Sequence, residues 1–454
     1  MAVPLPVAPE VLACTLMALL VAASVVVLAP LPVNWALAAP ARPVLDGTFV
    51  QNWLVQNWDD ETWEKEFAYL AEAGMTYLIV QGTADGQPGG PTRTYYPTRI
   101  PGCEQVPGSP DLVEKYLYYA RKYGLKVFLG LNMHPDWWRK GATDREWLLG
   151  QMELGNAIAR ELYERYFPRY PDTFYGWYWA WEIDNVNFRD PVQQENLIEA
   201  LNLQLDFLTA LDSRLPFMFS PFMNSRLGRK EQYRDFWIRI FAATHLREGD
   251  IFCPQDGLGG GTTVENFRDW LVELRKAVDT KPGLHFWSDL EIFDSQGYSA
   301  PLSRVVLQLQ EEAPLVDNIV SFAYTHYYSP NVVVPGFHRT YLDYLRTGQL
   351  ETNPPSPPAN LNAAALSSGG VLVYWEPAQD EHGIFSYEVY RDGELVGVNR
   401  APRPNERLDS LFWESFVDTG APGGRTFTYR VRAVDFAGNR SEWSEPVEIT
   451  TPAV

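Results

Sequence analysis

Residues 173–187, TFYGWYWAWEIDNVN, decide how this chain is read. At the period of two that strands follow, one face carries Tyr175, Trp177, Trp179 and Trp181, and the other carries Gly176, Tyr178, Ala180 and Glu182. Small residues low on a strand and a carboxylate at its C-terminal end suit a closed parallel barrel, packed in the middle and reactive at the top. The alternative for Glu182 is a structural carboxylate held by an arginine.

Outward from that strand, the chain from Asp46 alternates short apolar runs with amphipathic helical segments through eight rounds. The other seven strands are expected at 47–54, 76–81, 125–131, 215–220, 251–255, 284–290 and 318–324. Asp59 and Asp60 cap a helix that stops at Gly74, a second helix ends at Gly124, and longer ones run over about 144–169 and 196–211. The Gly/Pro-rich loop 83–109 is long enough to wall a cleft. Strand and helix in alternation imply parallel pairing through right-handed crossovers, and eight such units predict a (β/α)8 TIM barrel over 46–350.

Residues 351–360 contain Pro354, Pro355, Pro357 and Pro358 and read as a stiff Pro-rich linker. Beyond it, 361–454 has no helical periodicity but short alternating runs at 371–375, 385–396, 416–418, 426–434 and 447–450, the pattern of an all-β sandwich. Trp375, the run Tyr387 to Gly393, Tyr429 with Val431 and Ala433, and the ending 435–444 resemble a fibronectin type III module. The segment has no cysteine pair, unlike disulfide-bearing immunoglobulin domains.

The totals narrow the partners. With 37 Lys and Arg against 57 Asp and Glu, the formal charge of -20 disfavours nucleic acid and anionic membrane and leaves a neutral ligand easier to hold. Trp 16, Tyr 24 and Phe 23 supply flat faces for a core and for stacking on sugar rings. Three cysteines, Cys14, Cys103 and Cys253, make no disulfide framework and no zinc spacing, so neither a metal nor a required cofactor is expected; a Cys103–Cys253 pair stays open. Residues 1–38 read as an export signal: 11–28 is almost wholly apolar, and Ala36-Leu37-Ala38 suits signal peptidase. The same apolar run is long enough to stay as a membrane tether, so the destination is secreted or cell-surface.

With the barrel numbered this way, Glu182 follows strand four and Glu291 follows strand seven. One such carboxyl can protonate a leaving oxygen while the other, ionised, attacks or shields an anomeric carbon. A separation of about 5–5.5 Å gives retention and about 6.5–9.5 Å inversion. Asp184, on the alternation of Glu182, is either a working acid or the cap of the next helix. Asp256 either bonds a sugar or orients Glu291, or forms the Asp-Gly turn. Asp289 lies deeper on the face of Glu291, where an ionised carboxylate needs a partner. Asn132 and His134 after strand three, and Tyr324, His326 and Tyr327 after strand eight, stand where substrate contacts belong; each histidine is alternatively a structural hydrogen bonder. Trp137, Trp138, Trp181 and Trp287 are candidate sugar platforms or core. Gly259, Gly260 and Gly261 lack the order of a phosphate-binding motif and read as a flexible loop.

Terminal glutamates on strands four and seven resemble the large clan of retaining barrel glycoside hydrolases. More narrowly, Gly176-Trp177-Tyr178 with Glu182-Ile183-Asp184, Ser220-Pro221-Phe222, Gln255-Asp256-Gly257, and Trp287 with Glu291 and Phe293 resemble a bacterial barrel family grouped with those hydrolases. That resemblance covers about 46–350 and implies Glu182 as acid/base and Glu291 as nucleophile. One departure is Trp181, which stands where the better-known clan has an asparagine that bonds the sugar 2-hydroxyl. The expectation is an exported hydrolase of a polysaccharide or glycoconjugate, with a C-terminal module for contact with a cell surface or polysaccharide. The alternatives are a non-catalytic glycan-binding or adhesion protein using the same cleft, and a transglycosylase or lyase in exopolysaccharide export. Fold alone does not choose among them.

Overall fold

Eight parallel strands close into a barrel in the computed structural model, which describes residues 42–404, 406 and 413–453. The expected leader and apolar run lie outside the described residues. In chain order the barrel strands are Gly47–Val50, Tyr77–Val80, Lys126–Gly130, Phe174–Trp179, Phe217–Phe219, Ile251–Phe252, His285–Glu291 and Asn318–Phe322. Each pairs in parallel with its sequence neighbours, and the first closes on the eighth through Gly47–Val320 and Thr48–Ser321. Helices cover the outside. Asp59 accepts from the Thr62 N–H to start Asp60–Glu72, Asp144 does the same for Arg145–Tyr166 through Trp147, and Gly124 ends Leu112–Tyr123 in the left-handed region.

The alternation read on strand four holds for its upper half. Tyr178 and Ala180 face the lumen with Phe49, Ile79, Met218 and Val320, while Trp177, Trp179 and Trp181 pack outward beneath the helices. Lower down it fails. Val127 pairs with Phe174 but Phe128 with Gly176, a register shift that turns Tyr175 into the lumen against Phe128 (5.3 Å) and Tyr77 (5.7 Å). Gly176 is required there: a Cβ would stand 2.5 Å from the Phe128 ring and 2.7 Å from the Pro216 carbonyl.

The loop expected over 83–109 is a small sheet of its own. Cys103–Gln105, Thr92–Thr94, Ala84–Asp85 and Asn132–Met133 lie side by side in that order above strands two and three. Cys103 and Cys253 are unpaired, and Cys253 is buried in the lumen.

After the last barrel helix, Gly336–Thr347, the chain forms two further sheets. One has three strands (Ala359–Ala365, Val371–Glu376, Ser415–Asp418); the other has four, in the order Glu394–Arg400, Ile384–Arg391, Thr426–Asp435, Val447–Thr450. The run expected as one strand over 385–396 is two, because Asp392 and Gly393 both take positive φ (52° and 89°) and fold it into a hairpin. Their shared core holds Val373, Trp375, Tyr387, Val389, Tyr429 and Val431. The Pro-rich segment does not hold this sandwich away from the barrel. Phe436 packs on Phe337 (4.6 Å) and Phe385 (6.0 Å), its carbonyl accepts from the Leu302 N–H (2.9 Å), and a Cβ on Gly336 would meet its ring at 2.1 Å. Arg400 pairs with Asp294 and His382 with Asp343, both at 2.6 Å. Residues Pro43–Val454 form one compact unit.

Candidate active site

Along strand seven Trp287, Asp289 and Glu291 face the lumen in turn, from its lower end to its mouth. Trp287 belongs to the floor: it is 3% exposed and packs against Tyr77 (4.7 Å) and Phe128 (6.0 Å), so it presents no face to a sugar. Asp289, 1% exposed, accepts from the Ser220 hydroxyl (2.9 Å) through Oδ2, while Oδ1 has no partner. Burial pushes its pKa well up, with Glu291, Asp256 and Glu182 adding repulsion.

Glu291 ends the strand. Its Oε2 accepts from the Gly260 N–H (3.0 Å), and burial and the Asp256 charge push its pKa up to about 8 against two opposing N–H groups, those of Gly260 and Gly259. A side chain at Gly259 would lie 2.9 Å from that oxygen and 2.5 Å from the Phe293 ring, so glycine is what lets this loop close over the carboxyl. Phe293 stacks on Tyr327 (5.1 Å). Glu182 lies just past strand four, held by its own carbonyl, which accepts from the Trp137 indole (2.8 Å). Its Oε1 accepts from the Gln255 amide (3.1 Å), and burial, with Asp184 adding to it, pushes the pKa up to about 7. Glu182 and Glu291 are near enough for the charge of the first to raise the second.

Asp256 forms the Asp-Gly turn and also reaches the backbone of Glu291. Its Oδ1 accepts from the Leu258 N–H (3.0 Å), closing the turn at Gly257, and more distantly from the N–H of Glu291 (3.4 Å). Gln308 donates to its other oxygen and to the Glu291 carbonyl (3.2 Å), so the pair is tied from beneath. Asp184 is a cap, although not of the next helix: it accepts from the N–H groups of Val186 and Asn187 (2.6 Å each), while Asp190 caps Pro191–Leu211.

Trp181, Trp137, Asn132 and Tyr324 turn away from the lumen. Trp181 is 1% exposed against Trp137 (5.4 Å) and Trp147 (5.9 Å), because above the register shift the odd positions of strand four face the helices; Trp137, 4% exposed, serves Glu182 through its N–H. Asn132 donates to Gln151 and points its unpaired Oδ1 at Gly155 of helix Arg145–Tyr166. Tyr324 is fully buried, hydrogen-bonded to His338, since the chain winds into the one-turn helix Tyr324–Tyr327 instead of extending strand eight. His134 accepts from the Asp136 N–H (3.0 Å) and sits edge-on to Trp147 (5.7 Å). Trp138 is exposed, next to that turn. His326 is different. It is 3% exposed with neither ring nitrogen partnered, burial pushes its pKa down to about 4, and its ring lies 5.4 Å from Trp53.

Trp53 leads to residues that the sequence reading passed over. A cavity of about 300 Å3 opens beyond the ends of strands one to four, lined by Gln51, Asn52, Trp53, Gln81, Gly82, Asp85, Tyr95, Met133 and Ala180. Gln51 and Gln81 each directly follow a strand end, which is the signal that would have found them. Asp85 and Tyr95 carry no such signal, since only the small sheet brings them together (2.7 Å). Among the described residues no group of three or more His, Cys, Asp or Glu is disposed to hold a metal ion, and no helix is long and apolar enough to cross a membrane.

The fold is thus a closed eight-stranded parallel barrel with glutamates at the mouths of strands four and seven. The chain belongs to the family described as a domain of unknown function (DUF4434), whose model matches residues 45–334. The solved structure of a candidate alpha-L-fucosidase from Bacteroides thetaiotaomicron superposes with a TM-score of 0.57 at 21% identity, over 67% of this chain and 94% of that one. Shorter stretches resemble curated proteins: 103 residues are 32% identical to an alpha-amylase from Niallia circulans, and 101 residues are 34% identical to chitinase Chi52 from Paenibacillus xylanexedens. These stretches cover 23% and 22% of the chain but 7% and 17% of the relatives, so the chain spans less than a fifth of either.

Proposed function

We propose that this protein is an exported glycoside hydrolase that cleaves a polysaccharide or glycoconjugate with retention, Glu182 acting as acid/base and Glu291 as nucleophile. The observation that carries the reading is the pair itself: a buried Glu291 and a half-buried Glu182 at the mouth of the lumen, both pushed up by desolvation, with the charge of Glu182 adding to the cost of ionising Glu291. Such a pair holds one proton near neutrality. In the free protein Glu291, pushed up to about 8, holds a proton more firmly than Glu182, pushed up to about 7; the mechanism requires the reverse once a sugar is bound, and the N–H groups of Gly259 and Gly260, which favour charge on Glu291, support that shift. Glu182 then protonates the leaving oxygen as it departs. Glu291 bonds to the anomeric carbon, and Glu182, now a base, takes a proton from the water that releases the sugar.

The comparisons support a carbohydrate substrate: the names of the relatives are those of enzymes acting on glycans. The three- and four-stranded sheets, buried Trp375, and the Tyr429 hydroxyl donating to Asp418 (2.8 Å) support a fibronectin type III-like module. A second reading, a non-catalytic glycan-binding or adhesion protein, is favoured by one observation: the glycine loop covers Glu291, which is 4% exposed.

The test is release of reducing ends from a polysaccharide panel by the full chain beside Glu182→Gln and Glu291→Gln, with proton NMR of the first anomer formed. Cleavage with retention, lost in both variants, sustains the proposal. Inversion removes the nucleophile role of Glu291, and a glycan that is bound by all three proteins and cut by none favours the second reading.

A further inference from the structure

The cavity beyond strands one to four is built differently from the carboxylate pair. Trp53 is 52% exposed at its rim, and its indole donates to Gln51 Oε1 (2.9 Å). Gln51 in turn donates to Gln81 Oε1, and among the described residues the Gln81 amide nitrogen has no protein acceptor. In the same lining Tyr95 donates to Asp85 Oδ2 (2.7 Å), and among the described residues Asp85 Oδ1 accepts from no protein group. An amide donor and a carboxylate acceptor therefore line one cavity beside an aromatic surface, the set that neighbouring hydroxyls on a sugar ring satisfy. Behind Trp53, His326 keeps both ring nitrogens unpartnered although buried, a state that costs free energy until a hydroxyl or water supplies a partner.

Charge then selects among sugars. The lining holds one carboxylate and no Lys or Arg. Arg93, opposite Asp85 in the small sheet, is engaged with Glu104 (2.7 Å). A uronate or sulfate group entering here would meet Asp85 with no counter-cation in the lining, inside a molecule of formal charge -20.

We propose that this cavity is a recognition site for one uncharged sugar unit, with Trp53 stacking on its ring and Gln81 and Asp85 bonding its hydroxyls, and that it rejects units bearing carboxylate or sulfate. The inference rests on the reading of this face as a glycan site and goes further in naming the class of sugar. The volume, about 300 Å3, is at the lower end of the usual range for ligand pockets, in keeping with one ring and not a long segment of chain.

The experiment is calorimetric titration of full-chain Glu291→Gln, which removes turnover, with neutral hexasaccharides (gluco-, manno-, galacto- and xylo-) and with galacturonate, mannuronate and chondroitin sulfate hexasaccharides. At least one neutral probe binds and no anionic one does. Adding Trp53→Ala or Asp85→Asn weakens that binding about tenfold or more, with Trp53→Tyr recovering most of it. Anionic probes binding as well as neutral ones, no neutral probe binding, or unchanged affinity in both variants would each overturn the proposal. The two readings separate cleanly. If the otherwise wild-type Trp53→Ala and Asp85→Asn proteins cleave a glycan as wild type does, the site falls and the hydrolase stands; if they lose binding while wild type cleaves nothing, the reverse holds.

Discussion

The two ends of the barrel lumen are made of the same strands and solve opposite problems. At the lower end Tyr77, Phe128, Tyr175 and Trp287 fill the space with rings 4.7 to 6.1 Å apart. At the upper end Asp289 and Glu291 are buried and Glu182 half-buried, with few donors, and Asp289 Oδ1 has none. Packed apolar surface stabilises the fold, while under-satisfied carboxyls work against it. A polypeptide keeps such groups together where their raised affinity for protons has a use. The lower end is therefore where stability resides, and the upper end is where it has been given up.

The sharpest break in that comparison is chemical. Replacing Glu291 or Glu182 by Gln is expected to lower turnover of any cleaved glycan about a hundredfold or more, while the melting temperature holds or rises. An unchanged rate in either variant removes that residue from the reaction. Second in size is Trp287→Ala, which empties the floor and is expected to cost about 3–5 kcal/mol of unfolding free energy by urea titration. A loss under about 1 kcal/mol would mean that the floor is not the packed end.

Titration sharpens the contrast further. The folded pKa of Glu291 is pushed up to about 8 from an ordinary 4.5, so the folded protein binds more protons than the unfolded one between those values. Stability tied to this group is complete below the unfolded pKa and is lost as pH rises through the folded one. Denaturation midpoints from pH 4 to 9 should fall across that window and flatten in Glu291→Gln; a rising curve contradicts the burial. Smallest is Arg400→Ala, which breaks a partly exposed pair with Asp294 and is expected to cost under about 1 kcal/mol.

Much of the architecture was legible in the chain. Eight apolar runs, the caps at Asp59 and Asp144, and the stop at Gly124 are local signals, and local signals depend on neighbours a few residues away. The placement of Glu291 and Asp289 followed from simple alternation, because strand seven is regular from His285 to Glu291. Tyr324 and Tyr175 escaped that logic, one through a helical turn and the other through a register shift against its neighbouring strand. The Asp85–Tyr95 contact depends on the pairing of Ala84 with Thr94, a folding of the loop on itself that no period announces.

The sequence by itself determined the strand and helix order, the two carboxylates at the barrel mouth, and an all-β C-terminal segment, since period and composition are properties of short windows. Only the tertiary structure decided that Trp287 is floor, that Trp181 is backing, that Phe436 locks the sandwich to the barrel, and that Trp53 stands over His326. An aromatic ring reads alike in a core, on a platform or at an interface; what separates the three is which neighbours arrive from elsewhere in the chain, and that is settled by packing in three dimensions.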